Sequence, residues 1–211
     1  MDESANGFSR KVLDRAFTLE LSEISLDRWE ELDEPGATTN SARWPASAWF
    51  PRGAALSALR NVTDQERTRI FQVISALTEV NRYLTQAQLQ VGYRTRDEVA
   101  LFVLHSQETI SSFVTSAGQP VDPLDLALHM KVLPRIIGGS SGVRRAILQL
   151  MGWATTGVPL ESEDQAQPLL SVWEASGRAS ALPAARYPRT ASRLCLMWDR
   201  VVGEGFTSFW L

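Results

Sequence analysis

The residues that could do chemistry here are one cysteine, two histidines, a glycine-rich run and several arginines at the starts of elements. Cys195 stands beside Leu194 and Trp198 on what reads as an apolar helical face, so packing is its expected role. His105 and His129 have no partner at metal-ligand spacing, so the sequence offers no metal site and both read as structural. Gly138, Gly139 and Gly142 follow a helix rather than a strand, and no G-K-[ST] comes after them, which argues against a phosphate loop. No serine sits in a G-x-S-x-G elbow. Arg10 and Arg15 lie in a short basic helix, and Arg94 and Arg96 open a later one after Gly92-Tyr93. A guanidinium is a planar, permanently charged fork suited to phosphate. A cation at a helix N-terminus is mildly unfavourable, which hints at a role for Arg94. By local sequence alone, Arg15 reads as a surface arginine paired with Asp14, Glu20 or Glu23. Asp2 and Glu3 read as a chain end, and Lys131, Arg135, Arg144 and Arg145 as solvated faces.

The elements that position these residues are mostly helical. Ser9 is a fitting cap for a helix over residues 9–16, with Val12, Leu13 and Ala16 as its apolar stripe. A strand over 17–21 follows, in which Leu19 and Leu21 alternate with Thr18 and Glu20. Residues 24–34 are acidic, with Leu26 and Trp29 as anchors. Residues 33–61 hold Pro35, Pro45 and Pro51 with Trp44, Trp49 and Phe50, a composition that breaks long helices. Those tryptophans are expected to dock on the protein itself or on a partner.

Thr63 and Glu66 form a capping-box spacing for a helix over 63–89, whose face is Ile70, Val73, Ile74, Leu77, Val80 and Leu84. A second helix spans 95–114, with Val99, Phe102, Val103, Ile110 and Phe113 inward. Asp122-Pro123 opens a third, which Pro134 kinks or ends. Ser140 or Ser141 caps a fourth through Trp153, residues 167–175 make a turn or two, and Tyr187-Pro188 opens the last. Its inward face is Ala191, Leu194, Cys195, Trp198 and Val201.

The chain has 211 residues, a formal net charge of −3, 44% apolar and 21% charged residues. That is ordinary globular composition with room for a core, and the acidic balance weighs against broad nucleic-acid binding. A single cysteine forms no internal disulfide. No signal-peptide pattern and no apolar run of membrane-spanning length is present, so a cytoplasmic location is expected.

The phrase in residues 7–21, GFSRKVLDRAFTLEL, resembles the segment after sensor 1 in AAA+ ATPases, above all the McrB-like branch of modification-dependent restriction systems. Three further phrases follow in matching order: VGYRTRDEV at 91–99, Leu124-Asp125-Leu126 through KVLPRI at 131–136, and EGFTSF at 204–209. The resemblance implies a mainly α fold, the remnant of an AAA+ α/β core followed by a helical lid bundle. Residues 1–34 would end the core, 35–61 form a Pro/Trp-rich insertion, 62–154 the lid and 155–211 a C-terminal extension. Arg15 would be the arginine finger acting in trans, with Arg10 as alternate. Arg94 would be sensor-2-like, with Arg96 as alternate.

The chain begins about where sensor 1 would end, so no Walker A or Walker B motif precedes the finger and no cofactor is expected in this chain alone. ATP or GTP with Mg²⁺ would bind the complete motor. The implied partners are AAA+ core subunits or further copies in a ring and a nuclease subunit, with DNA reached only indirectly and no membrane. The alternative is a stand-alone helical adaptor that binds through the Trp-rich segment. A helical DNA-binding module is a third reading.

Overall fold

Thr63 and Glu66 close on each other at the start of the longest helix. The Glu66 amide donates to Thr63 Oγ1 (3.2 Å) and the Thr63 amide to Glu66 Oε2 (2.8 Å), which satisfies two backbone donors that a helix start leaves free. The computed structural model describes residues 9–19, 53, 55–115 and 118–210. Along them run α1 (Arg10–Leu13), α2 (Asp64–Thr85), α3 (Tyr93–Ser106), α4 (Pro123–Ala127), α5 (Ser141–Thr156), α6 (Gln167–Ala175) and α7 (Pro188–Gly203). Strand structure among the described residues is confined to β1 (Ile137–Gly138) paired antiparallel with β2 (Thr207–Ser208), and a single bridge between Val114 and Pro120. The protein is thus mainly helical. Residues 20–52, which hold Trp29, Trp44, Trp49 and most of the Pro/Trp-rich stretch, lie outside the described residues, as do Asp2 and Glu3.

The core sits where α5 packs against α7 on one side and α2 on the other. Trp153 is fully buried, its ring 4.9 Å from that of Tyr187, and its indole N–H donates to Glu79 Oε2 (2.6 Å). Ala191, Leu194, Cys195, Trp198 and Val201 all face inward from α7, as their spacing predicts. Helix α7 has Pro188 in its first turn and no side-chain cap of its own. The carboxylate of Asp125, from α4, caps it instead, accepting from the amides of Arg189 and Thr190 (both 2.9 Å). A negative charge at a helix N-terminus is favourable, so this cap also ties α4 to α7. Gly139 lets the turn after β1 pass the turn before β2. A β-carbon there would run into the carbonyl oxygen of Gly205.

Several expected boundaries move. Helix α2 ends at Thr85, because the Asn81 side chain ties off the following loop: Nδ2 donates to the Val91 carbonyl (3.0 Å) and Oδ1 accepts from the Val91 amide (2.8 Å). Helix α3 ends at Ser106 and gives way to 3-10 turns over Gln107–Ser112, which leave Ile110 45% exposed rather than inward. The third helix breaks up as Pro134 predicts: α4 runs into a π turn at Leu128–Val132 and a 3-10 turn at Leu133–Arg135.

The N-terminal stretch departs most. Helix α1 is only four residues long, and residues 17–19 form no regular strand. Their burial is the reverse of the expected alternation: Thr18 is 8% exposed and Leu19 71%. Residues 20 and 21 of the expected strand lie outside the described residues, and among the described residues no strand lies beside 17–19. The Thr18 amide instead donates to the Met130 carbonyl (3.1 Å). Proline has no N–H to return to the carbonyl four residues back, so Pro134 leaves the Met130 carbonyl without its helical donor.

Candidate functional site

The docking of residues 13–18 onto the helical body gathers the largest set of long-range polar contacts in which the sequence's candidate residues take part. At its centre is Lys131. The run Met130 to Leu133 is buried, and Lys131 goes in with it, its side chain 0% exposed. A buried ammonium needs partners for its charge and donors. Lys131 Nζ donates to the carbonyls of Asp14 (2.9 Å) and Ala16 (3.0 Å) and pairs with Glu98 Oε2 (2.5 Å). Its charge also lies 4.9 Å from the centre of the Phe17 ring, which in turn meets Phe102 at 5.6 Å. The expected solvated face at Lys131 is therefore wrong: the residue is a buried clamp, held by carbonyls from the end of α1.

Asp14 is the second centre. Its Oδ1 accepts from Arg135 Nη1 (2.7 Å) and from Thr95 Oγ1 (3.3 Å), and Arg135 Nη2 reaches the Gln90 carbonyl (3.2 Å). Arg135 is thus no solvated cation either. Partial burial works against ionisation of Asp14. The hydrogen bond and charge of Arg135, with Thr95 and Lys131, outweigh it and hold the carboxyl below the usual carboxylate range.

This arrangement decides where the candidate arginines stand. Asp14, one of the three partners the local sequence offers Arg15, is taken by Arg135. Glu20 and Glu23 lie outside the described residues. The Arg15 side chain is exposed and has no ion pair among the described residues. Arg94 is likewise exposed and unpaired among them. Each arginine directly adjoins one end of the Asp14–Thr95 hydrogen bond, so the junction brings the two to the same neighbourhood. Arg96 is committed elsewhere. Its Nη2 and Nε bond Asp97 Oδ1 (2.6 and 2.8 Å), it packs over the Tyr93 ring at 5.0 Å, and Asp97 also accepts from the Leu56 amide (3.2 Å). Arg10 opens α1, and its side chain lies outside the described residues.

An exposed guanidinium without an internal counter-ion can accept an external phosphate or carboxylate. Cys195 is fully buried in α7, and burial pushes its thiol up to about 12, which keeps it protonated. Among the described residues no group of His, Cys, Asp and Glu is arranged to hold a metal ion, and no helix is long and apolar enough to cross a membrane.

Lys131, Arg135, Thr95 and Glu98 are the residues that sequence reasoning missed. Lys131 sits alone among Met130, Val132 and Leu133, and a single cation within an apolar run was the available sign of burial.

Fold and site together define a mainly helical domain that holds a preceding stretch of its own chain through a buried lysine. Residues 52–206 match the family described as a domain of unknown function, DUF8727, and the chain belongs to that family. No curated protein matches the chain, and no solved structure does.

Proposed function

We propose that this chain is the C-terminal portion of a McrB-like AAA+ NTPase, with residues 1–34 ending the nucleotide-binding core, 62–154 forming the lid and 155–211 a C-terminal extension. One observation carries the reading. Three of the phrases that resemble that family meet in one polar junction through Asp14, Thr95, Glu98, Lys131 and Arg135, in contacts that span 33 to 121 residues of chain. In such a motor the junction sets how the lid sits on the core, and the two exposed arginines flank it. Arg15 would act as the finger on a nucleotide held by a neighbouring subunit, where a fixed cation offsets the charge of the transferring phosphoryl group. Arg94 would lean over the phosphates of its own subunit. The complete motor would use ATP or GTP with Mg²⁺ and drive a partner nuclease, with DNA reached through that partner. The setting is cytoplasmic.

The test begins with the tagged full chain recovered from its native cells. The expected co-purifying subunit carries Walker A and Walker B motifs, and the complex shows Mg²⁺-dependent NTP turnover that falls about 10³-fold on Arg15→Ala. The isolated chain is expected to be silent. Turnover by the isolated chain that is lost on Arg15→Ala would sink the proposal, as would a complex indifferent to that change. Deleting residues 35–60 separates the adaptor alternative, which expects every partner to be lost with that segment.

A further inference from the structure

A cavity of about 420 Å³ lies among the first half of α2, the end of α3, the start of α4 and the loop into α7. Its size falls within the usual range for small-molecule sites, roughly 300–1,000 Å³. Val103, in its wall, is about 12 Å along α3 from Thr95 at 1.5 Å per residue, so the cavity is separate from the junction. Arg69 and Arg186 line it, and neither has an ion pair among the described residues. Arg186 is held in place from behind. Its guanidinium stacks over Trp153 (5.4 Å) and Tyr187 (5.1 Å), and its amide donates to the Thr155 carbonyl (2.9 Å). Val73, Leu124 and the Tyr187 ring give apolar surface beside the two cations.

We propose that this cavity binds a small organic anion, a carboxylate or phosphate ester with an apolar body, whose charged end is taken by Arg69 and Arg186. Two guanidinium groups against one carboxylate, Asp122, give the wall a net positive charge. A guanidinium held by stacking loses little freedom when it engages an anion. Asp122 caps α4, its Oδ1 accepting from the Leu124 amide (2.8 Å). Burial raises its carboxyl above the usual range, Asp125 adds to that, and Arg186 opposes it. The charges that face it are Arg69 from α2, Asp125 from α4 and Arg186 from the loop, and α3 contributes none to the wall. Asp122 is the element that repels an incoming anion, and its neutral form would instead donate to one.

The test titrates benzoate, phenyl phosphate and benzyl alcohol into the full chain by calorimetry. At least one of the two anions is expected to bind saturably and the neutral alcohol not to, and the stronger anion names the charged group the site prefers. Arg69→Ala, on the half-exposed face of α2, should weaken anion binding about tenfold with helicity unchanged. Arg186→Lys keeps the charge without the planar fork and should weaken it as well. Asp122→Asn keeps a good helix cap and should strengthen it severalfold. The proposal is overturned if neither anion binds saturably, if benzyl alcohol binds as well as they do, or if a folded Arg69→Ala binds as tightly as the parent. Arg15 and Arg94 take no part in this site, so its failure leaves the motor reading where it stood.

Discussion

Around Trp153, α5 and α7 meet through side chains that have left water together, with one indole N–H satisfied by Glu79. Around Asp14, three separate stretches of chain meet through a lysine, an arginine, a threonine and two backbone carbonyls. The first kind of contact is strong in sum and indifferent to direction. The second is directional, so it fixes how residues 13–18 lie, and it responds to protonation. The body therefore supplies the stability of the fold, and the junction supplies the geometry of one attached segment.

The sharpest way to break this contrast is Trp153→Ala. Removing a fully buried indole should cost about 3–5 kcal/mol of global stability, read in urea unfolding followed by circular dichroism. A loss confined to residues 9–19 would reverse the assignment of roles.

Lys131→Met comes next. It fills the same space but strips Glu98 of its counter-charge and two carbonyls of their donor, for about 3 kcal/mol. Hydrogen exchange should quicken first at the Thr18 amide, with α5 and α7 still protected relative to it. Uniform loss of protection across the molecule would show that the junction is not a separable unit.

Asp125→Ala removes the only side-chain acceptors that α7's first amides have among the described residues, and should cost about 2 kcal/mol. Asp125→Asn, which retains one acceptor, should cost less.

Acid offers a reversible version of the same cut. Asp14's carboxyl is lowered in the folded state, so its contribution is complete above the unfolded value near 3.8 and is lost as pH falls through the folded one. Below about pH 4 the Phe17 ring signals should broaden or shift while Trp153 fluorescence holds. Simultaneous change at both would argue against a selective release.

The smallest effect belongs to Arg15→Ala and Arg94→Ala. Both side chains are exposed and unpaired among the described residues, so thermal melts should move by no more than about 0.5 kcal/mol. A larger loss would give them structural rather than functional work.

The helical body was readable because its signals are local. Thr63 with Glu66, Pro123 after Asp122, and Pro188 after Tyr187 each start a helix where residue type and position already say so. The inward face of α7 followed from spacing alone. The junction was not readable for the opposite reason. Two of the partners that bury Lys131 lie 115 and 117 residues away and are backbone carbonyls, which carry no residue identity to read. The cap of α7 came from Asp125, 64 and 65 residues away from the amides it serves. Alternation of Leu19 and Leu21 suggested a strand, but a strand needs a neighbour, and among the described residues a single hydrogen bond from the Thr18 amide to the Met130 carbonyl takes its place.

Pro134 sets up a competition with two possible winners. As built, the Met130 carbonyl accepts from the Thr18 amide. Pro134→Ala would return an N–H that can close the helix onto that same oxygen. The change would then favour a continuous helix and evict the docked segment at one stroke, so a mutation that regularises one element would loosen another. The irregular turn is in this sense a vacancy written into the covalent chain, and the segment before α2 is its tenant.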